Sequence, residues 1–149
     1  MAEVWRAVSR GPAGFEKIVV IKRVLPHLSR SEHFVEMLVR EAKIVARLSH
    51  ANIVQIFDLG MEDDTYFIAM EHVDGPNLAQ VLVRIGQRRV EFPLPLRLHI
   101  VSEIAKGLDF AHRQRDEQDR PLGIVHRDVS PSNVLISREG EVKLCLLYT

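Results

Sequence analysis

The chain has few of the features that mark disulfide-rich, nucleic-acid-binding or membrane proteins. Cys145 is its single cysteine, which rules out an internal disulfide or a cysteine zinc cluster and fits a reducing compartment. Twenty basic and 20 acidic side chains cancel, so no net field favours nucleic acid or an anionic membrane. No apolar run approaches the roughly 20 residues that span a bilayer, and no signal-peptide pattern is present. We therefore expect a cytoplasmic protein with no nucleic-acid partner and no membrane segment in this chain.

What the chain does contain is the composition of a globular protein with a core. Its 149 residues are 46% hydrophobic and 27% charged, which is ordinary for a folded domain. Within it, Ile124 to Ile136 reads IVHRDVSPSNVLI, a polar loop between two apolar patches. Asp128 and Asn133 are five residues apart and suit a loop that aims a carboxylate at a hydroxyl and an amide oxygen at a metal ion. From these residues alone, a capped surface turn is the alternative.

The first half of the chain predicts a small antiparallel sheet with one helix packed on it. Runs rich in β-branched residues flank a Gly-Pro-Ala-Gly turn and form a hairpin, and two further runs complete the sheet. The predicted strands are Ala2 to Val8, Lys17 to Val24, Ile53 to Leu59 and Thr65 to Met70.

A helix predicted from Ser31 to Leu48 carries a carboxylate in an otherwise apolar stripe. The stripe residues recur at spacings of four and three: Phe34, Leu38, Glu41, Val45 and Leu48. A charge that faces a core is costly unless it is paired, so Glu41 calls for a cation, and Lys22 is a candidate. Alternatively Glu41 reaches solvent at the edge of the stripe or pairs with Arg40 or Lys43. Lys22 taken alone reads as a strand-end lysine that extends to water.

The second half begins at a polar break, Glu71 to Pro76, which reads as a linker. Asn77 can cap a helix from Leu78 to about Ile85. A longer helix from Leu96 to about His112 has a stripe that predicts core packing, made of Ile100, Val101, Ile104, Ala105, Leu108 and Ala111. A last hairpin is expected between Val134 to Ile136 and Glu141 to Leu144.

The loop HRDVSPSN resembles the catalytic loop of protein kinases, whose pattern is HRD, four residues and then Asn. Further kinase-like features occur in kinase order over residues 1 to about 144: Val4-x-x-Ala7, the VVIK strand ending at Lys22, Glu41, and Met70 with its hinge. The wording of the loop, with Ser130 and Pro131 after the Asp, resembles the bacterial branch of eukaryotic-like serine/threonine protein kinases.

The resemblance implies an α+β, protein-kinase-like two-lobe fold that is incomplete. It implies an N-lobe at residues 1–70, with an antiparallel sheet, one helix and the first strand missing, and then a hinge at 71–76. Residues 77–144 would be the start of the helical C-lobe with the catalytic loop, and 145–149 a divergent tail. A complete kinase domain has roughly 250 residues, at the upper end of domain sizes, so we expect part of one.

The resemblance also implies a reaction, in which ATP with Mg²⁺ donates its γ-phosphoryl group to a serine or threonine of a protein substrate. Lys22 would hold the α- and β-phosphates, Glu41 would orient Lys22, and Asp128 would deprotonate the acceptor hydroxyl. Asn133 would bind one Mg²⁺. Further residues would contact adenine: Val4, Val20 and Leu135 on its faces, Met70 as the gatekeeper, and the backbone of Glu71 to Val73 as the hinge.

Four departures from the kinase pattern limit this expectation. The first glycines of the Gly-rich loop would precede Met1, Val20 replaces an alanine, Ser130 replaces a lysine that meets the γ-phosphate, and Leu146 replaces the metal-binding Asp of DFG. We therefore expect this chain to transfer phosphate poorly or not at all. The alternatives are a pseudokinase-like remnant that binds nucleotide or a partner kinase, and a truncated gene product. A regulatory domain fused to the full-length protein is a further expected partner.

Overall fold

The computed structural model describes residues 2–147, which form two compact units. The first unit comprises residues 2–49 and 55–72, and the second comprises residues 50–54 and 73–147. Met1, Tyr148 and Thr149, which the predicted domain boundaries include, lie outside the described residues. The predicted boundaries place 50–54 in the N-lobe, whereas this short segment is part of the second unit.

The first unit is built on a four-stranded antiparallel sheet with strand order β1-β2-β4-β3, which confirms the predicted sheet. The strands are β1 (Ala2–Arg10), β2 (Glu16–Val24), β3 (Ile56–Glu62) and β4 (Thr65–Glu71). Asp63 and Asp64 join β3 to β4 with φ values of 47° and 56°. Positive φ at both central residues is the mark of a type I′ turn, whose twist matches that of the flanking strands.

Two helices belong to this unit, α1 (Pro26–Ser29) and α2 (Glu32–Val45). The Ser31 hydroxyl caps α2 by accepting the Phe34 N–H at 3.4 Å, which satisfies one of the free donors of the first turn. Leu38, Ala42 and Val45 are buried on one helical face, and α2 contacts β3. The predicted stripe is confirmed at Leu38 and Val45. The helix ends three residues earlier than predicted, and the buried Leu48 follows it.

The second unit contains two helices and a hairpin: α3 (Leu78–Arg88), α4 (Leu94–His112), β5 (Val134–Ile136) and β6 (Val142–Leu144). Asn77 caps α3 as predicted, because its side-chain oxygen accepts the Gln80 N–H. The Gln80 side-chain oxygen in turn accepts the Asn77 N–H, which makes a capping box. The helix passes Ile85, where the prediction ended it, and stops where Arg89 takes a left-handed φ of 51°.

The predicted packing of α4 is wrong on one side of the helix. Ile100 and Ala111 are buried, whereas Val101 is 62% exposed and Ala105 is also exposed. Apolar residues cover more than one face of α4, and only the face that includes Ile100 packs within this unit, where α4 contacts β6. Helical spacing shows which residues share a face, but it does not show whether a neighbour covers that face.

A buried asparagine attaches residues 50–54 to the second unit. The Asn52 side-chain amide donates to Glu103 Oε2 at 2.8 Å and to the Val142 carbonyl at 2.9 Å. The Asn52 carbonyl accepts the Leu144 N–H at 2.8 Å. The hydrogen bonds from Lys106 and then Asn52 hold the pKa of Glu103 below its ordinary value. Of the helices between residues 2 and 147, none is long and apolar enough to cross a bilayer.

Candidate active site

The polar loop of the second unit is anchored by His126, which is only 7% exposed. Its Nδ1 accepts the Asp128 N–H at 3.2 Å, so this nitrogen carries no hydrogen. The hydrogen of the neutral ring is therefore on Nε2, which donates to the Cys145 carbonyl at 2.8 Å. One imidazole thus fixes the backbone before Asp128 and ties the loop to the segment that follows β6.

The chain reverses at Arg127, whose φ of +65° lies in the left-handed region. A residue with a Cβ is uncommon there, at a cost of order 1 kcal/mol. The reversal lets the Asp128 N–H point back to His126, and the Arg127 side chain is exposed. The strain therefore accompanies the placement of the predicted catalytic carboxylate.

Asn133 and Asp128 form the centre of the loop. The Asn133 Nδ2 lies 2.8 Å from Asp128 Oδ2, 3.0 Å from the Asp128 carbonyl and 3.3 Å from Ser130 Oγ. The Asp128 carboxylate and carbonyl oxygens can only accept, which assigns the nitrogen of the amide to this side. The amide oxygen then points to the other side, where it can serve as a ligand for Mg²⁺, an ion that prefers oxygen.

Ser130 stands where the kinase pattern has lysine, and its hydroxyl is tied into the loop. Its Oγ lies 3.0 Å from Ser132 Oγ in addition to the contact with Asn133. A serine held in this way brings no positive charge toward a bound phosphate. In place of the lysine of the kinase pattern, the loop has a neutral hydrogen-bonded network of Ser130, Ser132 and Asn133 beside the Asp128 carboxylate.

The segment after β6 keeps a fixed backbone but carries apolar side chains. The Cys145 N–H donates to the Asn133 carbonyl at 2.9 Å, and its carbonyl accepts from His126. Leu146 is 8% exposed and Leu147 is 3% exposed. A leucine side chain has no oxygen that could bind a cation. Among residues 2–147, no group of three or more His, Cys, Asp or Glu side chains could hold a metal ion.

In the first unit, the predicted phosphate-binding lysine lies on one face of β2 with apolar neighbours. Residues two apart on a strand share a face, so Val20 and Lys22 lie together. Their partners across the sheet are Arg6 and Met70 for Val20, and Val4 and Ile68 for Lys22. Directly opposed residues share a face as well, so four predicted nucleotide residues are on one side of the sheet: Val4, Val20, Lys22 and Met70.

Glu41 lies in α2 between the buried residues Leu38 and Val45 and is itself half-buried. This matches a carboxylate set in an apolar helical face. The pairing of Glu41 with Lys22 stays a prediction, as do the roles of both side chains. Lys22 is also half-buried.

The predicted hinge begins inside β4, because Glu71 is the last residue of that strand and not the first residue after it. The predicted strand ends at Met70 because Glu71 opens a run of polar residues. Glu71 extends the strand because it pairs with Val19 of β2. On the other side, the Glu71 N–H donates to the Gln55 carbonyl at 2.8 Å, and Glu71 Oε2 accepts the Gln55 N–H at 3.2 Å.

Leu135, the predicted adenine contact of the second unit, lies in β5 and is held by a close approach of the chain at Gly75. A Cβ on Gly75 would lie 1.9 Å from the Ile136 carbonyl oxygen. Because glycine has no Cβ, the two segments come close enough for the Pro76 carbonyl to accept the Ile136 N–H at 3.0 Å. Asn77 and Leu135 also form an isolated antiparallel β-bridge. Gly75 was predicted as part of the polar break after the strand, but its close approach to Ile136 was not predicted, and neither were the contacts of Gln55. The Gly-Pro pair was a signal for the first, and nothing in the sequence marked the second.

The sequence profile described as the protein kinase domain matches residues 2–146. The chain belongs to the protein kinase family. The kinase resemblance inferred from HRDVSPSN is therefore confirmed, and the family is one of enzymes.

Bacterial kinases are among the proteins to which this kinase chain is similar. It is 45% identical over 144 residues to the tyrosine-protein kinase MasK of Myxococcus xanthus, and the aligned region is 97% of this chain and 22% of MasK. It is 36% identical over 129 residues to the serine/threonine-protein kinase PrkC of Bacillus subtilis, which covers 87% of this chain and 18% of PrkC. The chain thus spans about a fifth of the length of these curated relatives.

A solved kinase domain shares the fold. The kinase domain of PknI from Mycobacterium tuberculosis superposes with a TM-score of 0.74 at 29% identity, covering 94% of this chain and 52% of that chain. The kinase-like α+β fold is therefore confirmed, and this chain corresponds to about half of a kinase domain. The described residues include the antiparallel sheet expected of an N-lobe.

Proposed function

We propose that this kinase chain binds ATP with Mg²⁺ and presents the catalytic loop of a bacterial serine/threonine protein kinase, with weak or no phosphoryl transfer by this chain itself. The observation that carries the proposal is the hydrogen bond of 2.8 Å from Asn133 Nδ2 to Asp128 Oδ2. It orients a carboxylate and an amide oxygen together, the two groups that the reaction needs from this loop. The cytoplasm, where ATP is supplied, is the proposed location.

In the proposed reaction, Asp128 acts on the acceptor hydroxyl. Asn133 holds Oδ2, so Oδ1 is the carboxylate oxygen that would accept the hydroxyl proton. The acceptor oxygen would form a bond to the γ-phosphorus, the bond from that phosphorus to the bridging oxygen of ADP would break, and ADP would leave. Mg²⁺ would neutralise the phosphate charge when bound, with the Asn133 amide oxygen as one ligand.

The nucleotide would be held by the face of β2 and β4 that carries Lys22. The lysine would pair with the α- and β-phosphates, and Glu41 would orient the lysine. Val4, Val20 and Leu135 would contact the adenine faces, with Met70 beside them. The backbone between Glu71 and Val73 would pair with the adenine edge.

Weak transfer is proposed because Leu146 supplies no second metal ligand. Positioning and charge neutralisation provide most of the rate in phosphoryl transfer, so the loss of a carboxylate at the metal ion affects the reaction directly. The same observation favours a second candidate function, in which the chain binds nucleotide or a partner kinase without catalysis. A regulatory domain elsewhere in the full-length protein remains part of the proposal.

The acceptor is proposed to be serine or threonine, as in relatives named serine/threonine kinases such as PrkC. MasK, which is named a tyrosine kinase, makes tyrosine the second candidate. Ser130 favours this second candidate too, because the lysine typical of serine/threonine kinases is absent. Phosphoamino-acid analysis of a phosphorylated protein substrate would separate the two.

Binding of a non-hydrolysable ATP analogue with Mg²⁺ tests the nucleotide site. We expect Lys22→Ala to weaken binding at least about tenfold, since the loss of a charge-assisted contact with phosphate is of that order. Lys17→Ala is the matched control, because Lys17 lies on the other face of β2, 3.5 Å from the Phe57 ring centroid. Equal affinity of the wild type and Lys22→Ala would overturn the proposal.

Phosphate incorporation into a generic protein substrate tests the transfer step. We expect incorporation by the wild type close to that of Asp128→Asn, because Leu146 leaves the metal site incomplete. Strong incorporation that is lost in Asp128→Asn would contradict the expectation of weak transfer and would favour an active enzyme.

A further inference from the structure

Glu71 and Gln55 are joined by two hydrogen bonds of different kinds at the end of β4. The Glu71 N–H donates to the Gln55 carbonyl at 2.8 Å, as in a normal ladder. The Gln55 N–H donates instead to the Glu71 side chain, with 3.2 Å to Oε2. Both residues are half-buried and both belong to the first unit.

In an antiparallel ladder, a hydrogen-bonded pair of residues exchanges two backbone N–H···O bonds. The Glu71 carboxylate takes the donor that such a pair would direct to the Glu71 carbonyl. Gln55 therefore ties the Glu71 side chain, as well as the Glu71 backbone, to the segment that precedes β3. This side-chain hydrogen bond forms at Glu71, the residue where the backbone proposed to pair with adenine begins.

Gln55 extends the connection to α2. Its side-chain Nε2 donates to the Ile56 carbonyl at 3.0 Å and lies 3.4 Å from the carbonyl of Ala46, the residue that caps the C-terminal end of α2. The last carbonyls of a helix lack partners within the helix, so Gln55 satisfies one of them. A single residue thus touches the end of the helix that carries Glu41 and the start of the hinge.

We propose that the Glu71 side chain is a positioning residue for base recognition, which holds the start of the hinge by accepting the Gln55 N–H. The role rests on the proposed function, since it sets how the backbone at Glu71 meets the base of a bound nucleotide. It concerns the base and not the phosphates, which Lys22 would hold. Its loss should therefore change the preference among purine bases more than the strength of phosphate binding.

The test compares binding of ATP and inosine triphosphate, both with Mg²⁺, since inosine carries an oxygen where adenine carries its amino group. We expect Glu71→Ala to lower the ratio of ATP to inosine triphosphate affinity about 3- to 10-fold, the range of one net hydrogen bond. Glu71→Gln keeps a side-chain oxygen that can accept the Gln55 N–H, and we expect it to retain the ratio within about twofold.

Glu62→Ala is the matched control, because Glu62 is an exposed acid at the end of β3 in the same sheet. A merely structural role for Glu71 would lower affinity for both nucleotides equally and leave the ratio unchanged, which would overturn the proposal. If Glu71→Ala does not fold, Glu71→Met keeps the volume without a strong acceptor and replaces it. Failure of the wild type to bind either nucleotide would overturn the proposed function. Wild-type binding that Lys22→Ala weakens, with an unchanged ratio in Glu71→Ala, would overturn the role of Glu71 alone.

Discussion

The loop at residues 126–133 and the segment 145–147 are connected by hydrogen bonds, yet only the loop carries the polar side chains of the kinase pattern. The loop places a carboxylate and an amide 2.8 Å apart. The segment has an equally fixed backbone, since Cys145 bonds to Asn133 and His126, but its next side chains are Leu146 and Leu147. The comparison shows that backbone position and ligand chemistry are separable. This backbone is formed with a leucine at residue 146, where the kinase pattern has an aspartate.

His126 supplies the side-chain link between the two regions, beside the backbone hydrogen bond from Cys145 to Asn133, and breaking it should have the largest effect. His126→Ala removes the donor to the Cys145 carbonyl and the acceptor of the Asp128 N–H, both in a part-buried site. We expect the free energy of unfolding to fall by about 2–4 kcal/mol, as for other losses from buried hydrogen-bond networks. Urea denaturation measures this.

His112→Ala, at the exposed end of α4, is the control for that measurement. It should change the free energy of unfolding by less than about 0.5 kcal/mol. Equal effects of the two variants would show that the loop and the segment 145–147 are held together by something other than His126.

Restoring a carboxylate to the segment sharpens the comparison. Leu146→Asp puts an oxygen ligand where the family has one, and we expect Mg²⁺-dependent affinity for an ATP analogue to rise about tenfold, or about 1.4 kcal/mol. The same variant should lose stability without Mg²⁺, because a buried charge replaces a leucine that is 8% exposed. Isothermal titration with and without Mg²⁺ measures the difference.

Leu147→Asp is the matched control for this gain. It introduces the same charge one residue later, where the family has no metal ligand, so it should destabilise the chain without raising affinity. A similar rise in both variants would mean that added negative charge, and not a metal ligand at residue 146, causes the effect.

The smallest effect is expected within the loop. Ser130→Ala removes the contacts with Ser132 and Asn133, but Asn133 keeps its two acceptors on Asp128. We expect the free energy of unfolding to fall by about 0.5–1 kcal/mol, and Mg²⁺-dependent nucleotide affinity to stay within about twofold. The contrasting variant is Asn133→Ala, which removes the amide contacts with Asp128 and Ser130 and should cost more on both measures. Equal losses would show that Ser130, and not Asp128, holds the amide.

Much of the first unit could be predicted from the sequence, because its signals are local. The hairpin of β1 and β2 follows from β-branched runs around a glycine turn, and α2 follows from a capping serine and a stripe at helical spacing. In the second unit, the loop at residues 126–133 was recognised from the resemblance of HRDVSPSN to the kinase pattern. These features depend on residues that are close together in the chain.

The rest depended on contacts between distant segments. The face of α4 that includes Val101 has the spacing of a core face, yet the described chain does not cover it. Residues 50–54 follow α2 in sequence but belong to the second unit, because Asn52 bonds to Glu103 and Val142. No local pattern indicates which of two units will supply a donor or an acceptor.

The sequence by itself determined the family, the sheet, the capped helices and the candidate site side chains, together with the leucine that stands at residue 146. These features follow from the types of residues that lie close together in the chain and from the spacing between them. Only the tertiary structure decided that His126 joins the loop to Cys145, that Gly75 allows the chain to approach Ile136, and that the Glu71 carboxylate accepts the Gln55 N–H. Hydrogen bonds and close approaches form between groups whose separation is set by the whole fold, so the sequence pattern does not contain them.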